Sequence, residues 1–361
     1  MSSFPTRQSS VDIIGEVRAP ATMRAAVYRR FGGPQVVQIE QRPTPAPRGN
    51  EILVRVMAST VSAADHRSRA KDIPRGLALP SALVLGVFRP RLEVLGMDVA
   101  GVVESVGSDV TKFAVGDEIV AMLGATFGGH AEYVTVPENG PVALKPRNLS
   151  FEESVALVFG GVTARAFLNR ADVTDGTSVL VNGASGAVGT AAVQLAKMAG
   201  AHVTAVTSAR NAGMAWSLGA DRVIDYAATD FTAEGHTYDV ILDAVGNASF
   251  ARVERIINRG GALLQVIADL GEIILSARRS RKSGIRIVVG NVPFTADDMA
   301  AVVAAGESGW YRPVIDRTVE LADIVEAHRY VDTGRKRGSV VVRIAGPAEA
   351  GPGADLTEAR A

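Results

Sequence analysis

Three glycines, Gly183, Gly186 and Gly189, follow one another at intervals of three residues in the stretch VLVNGASGAVGTAAVQLAKMAG. The sequence before them predicts a buried strand at 178–182, and the apolar spacing after them predicts a helix at 189–199. A glycine turn between strand and helix lets the backbone approach a pyrophosphate, whose charge the helix N-terminus favours. We therefore predict a dinucleotide site here, against the alternative of a plain glycine loop. Its predicted contacts are Gly183, Ala184, Ser185, Gly186, Ala187, Val188 and Gly189.

The end of the next predicted strand bears on the choice between NAD and NADP. An NAD site usually has a carboxylate about 20 residues beyond the glycines, where it binds the ribose 2′-hydroxyl. Here the strand ends with Thr207, Ser208, Ala209 and Arg210, and no carboxylate is present. Hydroxyls and a guanidinium suit a 2′-phosphate, because arginine donates charge-assisted hydrogen bonds to phosphate. We predict NADPH, contacted by Ser208 and Arg210. The alternative for Arg210 is a solvated residue at the next helix start, and Tyr226 either flanks the same phosphate or only packs.

The segments before and after this turn differ in the secondary structure that their sequence patterns predict. From residue 23 to about 146, short β-branched strands alternate with Pro/Gly clusters such as PTPAPRGN, which predicts an all-β unit. A capping box at Ser150 and Glu153 then opens a helix. Beyond it, strands alternate with helices, a pattern typical of a parallel sheet.

These patterns predict a flexible extension, two domains, a further segment that ends in a closing strand, and a disordered tail. The predicted bounds are 1–22, 23–150, 151–290, 291–345 and 346–361.

The composition excludes several classes of protein. Lys+Arg and Asp+Glu both number 38, so no net charge marks a surface for nucleic acid or an anionic membrane. Without cysteine the chain forms no disulfide, iron–sulfur cluster or zinc–thiolate site. No stretch approaches the roughly 18 apolar residues of a membrane helix, and the N-terminus lacks the apolar region of a signal peptide. We therefore expect a cytoplasmic protein without nucleic-acid or membrane partners.

Motifs beside the glycine turn extend along nearly the whole chain. They are MRAAVYRRFGGP, LGMDVAGVVESVG, FAVGDEIVA, GGHAEYVTVP, SLGADRVIDY, YDVILDAVG and PVIDRTVELADIVEAHRYVDTGRKRGSVVV. Together they resemble the medium-chain dehydrogenase/reductases, specifically the zinc-free quinone oxidoreductase-like branch. The resemblance implies an α/β fold with a GroES-like β-barrel domain and a Rossmann domain built on a doubly wound parallel sheet. It also implies that the segment at 291–345 returns to the first domain, and that the active site lies in the cleft between the two domains.

Two positions bear on the catalytic zinc of the alcohol dehydrogenases in that superfamily. By the resemblance, Ser62 stands where they have a cysteine and Met97 where they have a histidine. A hydroxyl and a thioether are poor zinc ligands, and the carboxylates of Asp65 and Asp98 do not make a site alone. We therefore expect no metal. Without a Lewis acid to polarise a simple carbonyl, we expect an acceptor that is already activated: an apolar, electrophilic quinone or an alkene conjugated to a carbonyl.

The resemblance further implies which residues surround the nicotinamide. Ser62, Asp65 and His66 are expected in a loop after the strand at 51–58, and Thr163 on a helix that approaches the ring. Asp65 either contributes to the site or pairs with Arg69 to brace the loop. His66 is either a proton donor or, as we favour, a surface histidine, and His130 is expected to pack or line the cleft. Further cofactor contacts are implied at Gly246, Val266, Ile267, Asn291 and Lys336, and Asn247 is a candidate helix cap.

Other features leave the substrate and the assembly open. Residues 71–93 are expected to form a lid or wall of the pocket, whose leucines and Phe88 favour an apolar acceptor. The basic run at 277–286 is expected to be a solvated loop. A homodimer formed through a strand at 285–289 is implied by the resemblance. Two functional alternatives remain: an alcohol or ketone dehydrogenase without zinc, and a scaffold or sensor that binds NADPH without turnover.

Overall fold

Two large β-sheets and one long helix between them organise the chain in the computed structural model, which describes residues 19–290 and 292–344. The predicted α/β fold class is confirmed. Most of the predicted extension, the predicted tail and Asn291 lie outside the described residues.

The first sheet is built from short strands in the N-terminal part of the chain. Strands β1 and β2 pair with each other, and β3 to β7 belong to a seven-stranded sheet in which β3 pairs with both β4 and β6. The bounds are Thr22–Tyr28, Val37–Pro43, Glu51–Val61, Asp98–Val106, Glu118–Met122, Tyr133–Pro137 and Val142–Leu144 for β1 to β7. Helices α1 (Ala63–Ala70) and α2 (Ala78–Leu85) follow β3.

The second sheet has six parallel strands in the order β10-β9-β8-β11-β12-β13. Their bounds are Ser178–Asn182, His202–Thr207, Arg222–Asp225, Tyr238–Asp243, Ile257–Gln265 and Arg286–Val289 for β8 to β13. The order reverses between β8 and β11, and ligands of doubly wound sheets bind at the carboxyl ends of the strands at such a point.

Helix α3 (Phe151–Leu168) lies between the two sheets and is buried on nearly every side. Its start confirms the predicted capping box: Ser150 Oγ accepts from the Glu153 amide, and the Glu153 carboxylate accepts from the Ser150 amide. At Gly160 a Cβ would lie 2.3 Å from the Ala187 carbonyl oxygen. The glycine therefore lets α3 approach the glycine turn directly.

The remaining helices flank the second sheet or follow it. They are α4 (Ala187–Met198), α5 (Ala212–Ser217), α6 (Phe250–Val253), α7 (Leu270–Ser283), α8 (Ala296–Glu307) and α9 (Ile324–Asp332).

The last part of the described chain returns to the first sheet. Strand β15 (Ser339–Arg343) pairs antiparallel with β3, and β14 (Ile315–Glu320) pairs parallel with β15. Just before β15, the Gly338 amide donates to the Ser185 carbonyl over 2.8 Å. The return segment thus connects the first sheet to the glycine turn by a backbone hydrogen bond. The residue bounds predicted for the domains stay a prediction.

Two predicted loops are helical. Residues 63–66 belong to α1, because Ser62 and Asp65 form a capping box that starts this helix. The basic run at 277–286 is solvated as expected, but it belongs to α7 as far as Ser283. Asp269 caps the start of α7, and Gly284 ends it at a φ of 72°.

The sequence between β11 and β12 predicts a helix at 248–258, and the structure has helical turns over only part of it. Helix α6 covers only Phe250–Val253, a short 3-10 turn follows, and β12 begins at Ile257. Within β12, a Cβ at Gly261 would lie 2.4 Å from the Asp239 carbonyl oxygen of β11. The close approach of the two strands at this position therefore requires a glycine within β12.

Strand β13 is the outer strand of the six-stranded sheet. The strand that the sequence analysis expects to pair with a second copy is therefore an edge strand. The homodimer itself stays a prediction. Within residues 19–290 and 292–344, no helix combines the length and the apolarity needed to cross a bilayer.

We predict that Gly338→Ala destabilises the protein by about 2 kcal/mol or more. The residue has a φ of 61°, and a Cβ there would lie 2.1 Å from the Val314 carbonyl oxygen. Gly334→Ala is the matched control, because it has a φ of 66° and open space around a Cβ. Urea denaturation should show a larger loss for Gly338→Ala. Equal losses would mean that the backbone conformation alone matters.

Candidate functional site

The glycine turn has the geometry of a phosphate cradle. Gly183 leaves β8 at a φ of 82°, and a Cβ at Gly189 would lie 2.1 Å from the Gly183 carbonyl oxygen. Gly186 caps α4, and only the Gly183 carbonyl approaches the space where its side chain would stand, at 3.7 Å. The first amides of an α-helix have no partner within the helix, so those of α4 are available to an anion.

A cleft of about 650 Å³ runs from this turn between the two sheets. Its volume lies within the range of small-molecule and cofactor sites. The first sheet's helices contribute Ala63, Arg67 and Phe159, and the return segment contributes Val331, Gly334 and Lys336. The second sheet contributes its strand ends and following loops, including Thr207, Tyr226, Phe231, Val245, Asn247 and Ile267.

The cleft brings together many of the predicted cofactor residues. Those that line it are Gly183, Ser185, Gly186, Ala187, Val188, Gly189, Tyr226, Ile267 and Lys336. Ala184 is fully buried beneath the turn, and Val266 packs against the core while its amide donates to the Asp243 carbonyl. Ser208 and Arg210 follow β9 beside the cleft without lining it. Asn291 is not among the described residues.

Buried polar atoms facing this region are left without partners in the described structure. Thr207 Oγ1 is buried at the end of β9, where it lines the cleft, and Thr163 Oγ1 is buried on α3. Thr163 lies four residues after Phe159, on the same face of the helix. Unpaired buried hydroxyls are costly, so a ligand that bonds to them is favoured. With the cradle and the cleft volume, they fit a dinucleotide.

Ser62 and Asp65 lie under the cleft rather than on it. One Asp65 oxygen accepts from the Ser62 amide and hydroxyl at 2.7 and 2.6 Å, and the other accepts from the Gly96 amide at 2.8 Å. Both residues are buried. This arrangement fixes the start of α1 against the segment before β4, so we assign both residues a positioning role instead of the expected catalytic one.

The pairing expected between Asp65 and Arg69 is wrong. The fully buried Arg69 donates to both Asp332 oxygens at 2.5 and 2.7 Å, and to the Gly32 carbonyl. His66 Nδ1 lies 2.6 Å from the same Asp332 carboxylate. His66 thus faces α9 instead of the cleft, and it is a half-buried histidine bound to Asp332 rather than the surface histidine that we favoured.

The positions related to zinc ligands are occupied by core contacts. Met97 packs against both large core clusters. Asp98 is fully buried and accepts from the Thr60 amide and hydroxyl, and burial raises its pKa to about 7. His130 Nε2 lies 2.9 Å from the Thr60 carbonyl, and its ring packs edge-on against His328. Over the described ranges, no three His, Asp or Glu side chains gather as a metal site would require.

Sequence reasoning missed Arg67, a cation on the wall of the cleft. Burial lowers the pKa of this guanidinium, and the charge of Asp72 opposes that shift. Arg67 lies four residues after Ala63, so both project from one face of α1 toward the cleft. Arg67 was not predicted because the segment was expected to be a loop. Only as part of a helix does its spacing from Ala63 place it on the wall of the cleft.

A network after β11 shapes the cleft and was also missed. Asp243 accepts from the amides of Val245, Gly246 and Ala248 at 2.8–3.0 Å, which fixes the loop around its carboxylate. Asn182 donates to Asp243 and to Asn247 Oδ1. Asn247 is therefore not the cap of α6; Ser249 occupies that position.

A second compartment of about 380 Å³ adjoins the cleft. The two share Arg67, Val245, Asn247 and Ile267. The second compartment adds Asp72, Pro74, Arg75, Gly246, Ser249, Gln265, Ala268, Asp269 and Glu272. Gln265 Oε1 is buried there without a partner. The segment at 71–93 thus contributes a wall, as expected, but with Asp72, Pro74 and Arg75, while Leu79, Leu83 and Phe88 are exposed.

Comparisons with known proteins agree with this architecture. Residues 48–147 match the family model of the alcohol dehydrogenase GroES-like domain, and residues 218–342 match the model described as zinc-binding dehydrogenase. The 2-methylene-furan-3-one reductase of Solanum lycopersicum is 31% identical, over 94% of this chain and 84% of that protein. The chain belongs to the medium-chain dehydrogenase/reductases, in the quinone oxidoreductase-like branch. It is an oxidoreductase that uses a nicotinamide cofactor and acts on a small molecule.

Two further relatives cover nearly the same part of the chain. The chloroplastic NADPH-dependent alkenal/one oxidoreductase of Arabidopsis thaliana is 30% identical, over 94% of this chain and 84% of that protein. The solved structure of the quinone oxidoreductase from Coxiella burnetii superposes with a TM-score of 0.79 at 27% identity, covering 90% of this chain and all of that one. The superposition agrees with the order of strands and helices described above.

We predict that binding of the reduced nicotinamide cofactor weakens as the pH rises through about 8. Burial lowers the pKa of Lys336, which lines the cleft, to about 8, although Asp316, Asp98 and Asp65 oppose the shift. Below that pH its ammonium attracts a phosphate, and above it the amine is neutral. Fluorescence titration should show Kd rising several-fold between about pH 7 and pH 9. Lys336→Arg keeps its charge and should flatten this rise; an unchanged profile would contradict the assignment.

Proposed function

We propose that this protein transfers a hydride from NADPH to a quinone or an α,β-unsaturated carbonyl without a metal ion. The observation that carries the proposal is the junction of the two compartments, where Arg67 lines both the glycine-turn cleft and the second pocket. The first compartment suits the cofactor and the second suits an acceptor. The names of the reductase and oxidoreductase relatives support this acceptor class.

The preference for NADPH rests on the cation that follows β9. Arg210 follows this strand, and its guanidinium donates to the Arg335 carbonyl over 3.3 Å. This bond brings Arg210 beside the turn that carries Lys336, and Lys336 lines the cleft. The strand end offers Thr207 and Ser208 and no carboxylate. A 2′-phosphate is the group that this arrangement suits.

The reaction needs an electrophile where the acceptor gains charge. The bound cofactor supplies the hydride, and negative charge then collects on the acceptor oxygen before protonation. Arg67 is half-buried at the junction, and no described side chain hydrogen-bonds to its guanidinium. A guanidinium in a partly dry site stabilises developing oxyanion charge without a metal. Arg67 is the residue to which we assign this role, while Phe159 of α3 lines the cleft beside the glycine turn.

We predict that the purified protein oxidises NADPH in the presence of quinones or enones, and that a chelator does not slow it. Arg210→Ala should lower the ratio of kcat/KM for NADPH over NADH by about tenfold, which is the loss of one charge-assisted contact. Arg281→Ala, which removes an exposed arginine from α7, is the matched control. A preference for NADH in the unaltered protein would contradict the assignment of Arg210.

The same assay separates the alternatives. Chelator-resistant oxidation of simple alcohols with NADP, without turnover of enones, would favour the zinc-free alcohol dehydrogenase. A thermal shift with NADPH and no turnover of any acceptor would favour a scaffold or sensor.

We predict that Arg67→Gln lowers kcat by about 10²-fold and changes the Kd for NADPH little, because it removes one oxyanion donor. Arg75→Gln is the comparison. Arg75 is exposed and lines only the second compartment, so its loss should act on the acceptor KM. Steady-state kinetics with a soluble quinone measure both. If Arg67→Gln raised only KM, Arg67 would be a binding residue instead of the electrophile.

A further inference from the structure

Helix α2 and the turn after it present a cluster of large apolar side chains to solvent. No residue of α2 is buried. The exposed fractions are 90% for Phe88, 78% for Leu79 and 64% for Leu83, and both Val84 and Val87 are more than half exposed. We call these five residues the α2 patch. Single exposed apolar residues are common on proteins, but a contiguous group of this kind marks an interaction surface.

Hydrogen bonds and a tight turn fix the backbone that carries the α2 patch. Lys71 donates to the Val87 carbonyl, and its ammonium lies 4.7 Å from the centre of the Phe31 ring. The Arg91 amide donates to the Leu85 carbonyl, and a Cβ at Gly86 would lie 2.0 Å from the Arg89 carbonyl oxygen. The turn that carries Phe88 is therefore tight, and it directs apolar side chains outward.

The segment that carries the patch has an excess of positive charge. Residues 73–92 include Arg75, Arg89 and Arg91, all exposed, and no aspartate or glutamate. The chain as a whole has equal numbers of cationic and anionic residues, so this local excess is distinct. An apolar face bordered by arginines matches the surface of an anionic bilayer, where aromatic and aliphatic side chains enter the headgroup region and cations meet lipid phosphates.

We propose that the α2 patch docks this protein on the surface of a lipid bilayer that carries anionic headgroups. The contact is shallow, because α2 has only eight residues. A second copy of the chain fits the patch less well. In a symmetric dimer the same patch faces itself, which would bring the three arginines of one copy toward those of the other.

The docking surface at α2 is continuous with the wall of the second compartment. Pro74 and Arg75 line that compartment and stand a few residues before α2, and the Leu270 amide of α7 donates to the Arg75 carbonyl over 3.0 Å. The wall of the compartment is thus continuous with the docking segment. Docking does not depend on the proposed reaction, but it would bring the second compartment near a phase in which apolar quinones and enones dissolve.

Co-sedimentation of the full-length protein with phospholipid vesicles tests the proposal. The protein should pellet with vesicles of phosphatidylcholine and phosphatidylglycerol at low salt, and much less with phosphatidylcholine alone. The double variant Leu83→Ser/Phe88→Ser should lower the partition coefficient by about tenfold or more, because it removes two membrane-entering side chains. Arg89→Gln/Arg91→Gln should lower binding to the anionic vesicles and weaken its salt dependence.

Two controls keep the test independent of folding and of the reaction. Trp310→Ser removes a comparably exposed apolar side chain from the return segment and should leave vesicle binding unchanged. The α2 variants should keep the wild-type thermal midpoint, and their turnover of a water-soluble acceptor, if the protein has any, should match the wild type. A protein that binds vesicles and reduces no acceptor would contradict the proposed function and leave the docking surface intact.

The proposal fails if the wild type stays in the supernatant with both kinds of vesicle. It also fails if Leu83→Ser/Phe88→Ser binds anionic vesicles as tightly as the wild type. A wild-type dimer that this double variant converts to a monomer, measured by light scattering after size exclusion, would show that a second copy covers the patch and would overturn the bilayer assignment.

Discussion

The glycine turn at 183–189 is held by backbone contacts with two segments that are remote from it in sequence. Helix α3 reaches it through Gly160, where a side chain would strike the Ala187 carbonyl, and the return segment donates the Gly338 amide to Ser185. A third close contact joins Gly189 to Gly183 within the turn. These approaches need glycine because a Cβ would occupy the space of a carbonyl oxygen. The cleft, the phosphate cradle and the position of the return segment all depend on these three backbone contacts.

The electrostatics of the site follow from the same packing. Asp98 and Lys336 are ionisable groups in partly or fully dry surroundings, and burial moves their pKa values in opposite directions, to about 7 and about 8. Asp65 avoids an unpaired charge by accepting from three donors, two of them backbone amides. Asp243 does the same with the loop after β11. In both places a buried carboxylate organises backbone amides, so its function is to hold the walls of the cleft.

Local signals predicted the fold well. The glycine spacing, the Ser150–Glu153 capping box and the alternation of strands and helices depend on neighbouring residues, and the structure agrees with each. The pattern failed at the end of the helix predicted at 248–258, where β12 already begins at Ile257 and pairs with β11. It failed also at α1, because the capping box at Ser62 and Asp65 was interpreted as a catalytic loop. Arg67 was missed for that reason, and the partner of Arg69 because Asp332 is far away in sequence.

The pairing of β15 with β3 has a consequence for how the chain folds. Strand β15, which pairs with β3 over 58–61, is synthesised after the six-stranded sheet, so this part of β3 has an open edge while that sheet is being made. Contacts between such distant segments form slowly. A chain whose synthesis stops before Ser339 would therefore form the complete parallel sheet but leave the edge of β3 unpaired. That edge is a surface to which a chaperone would bind.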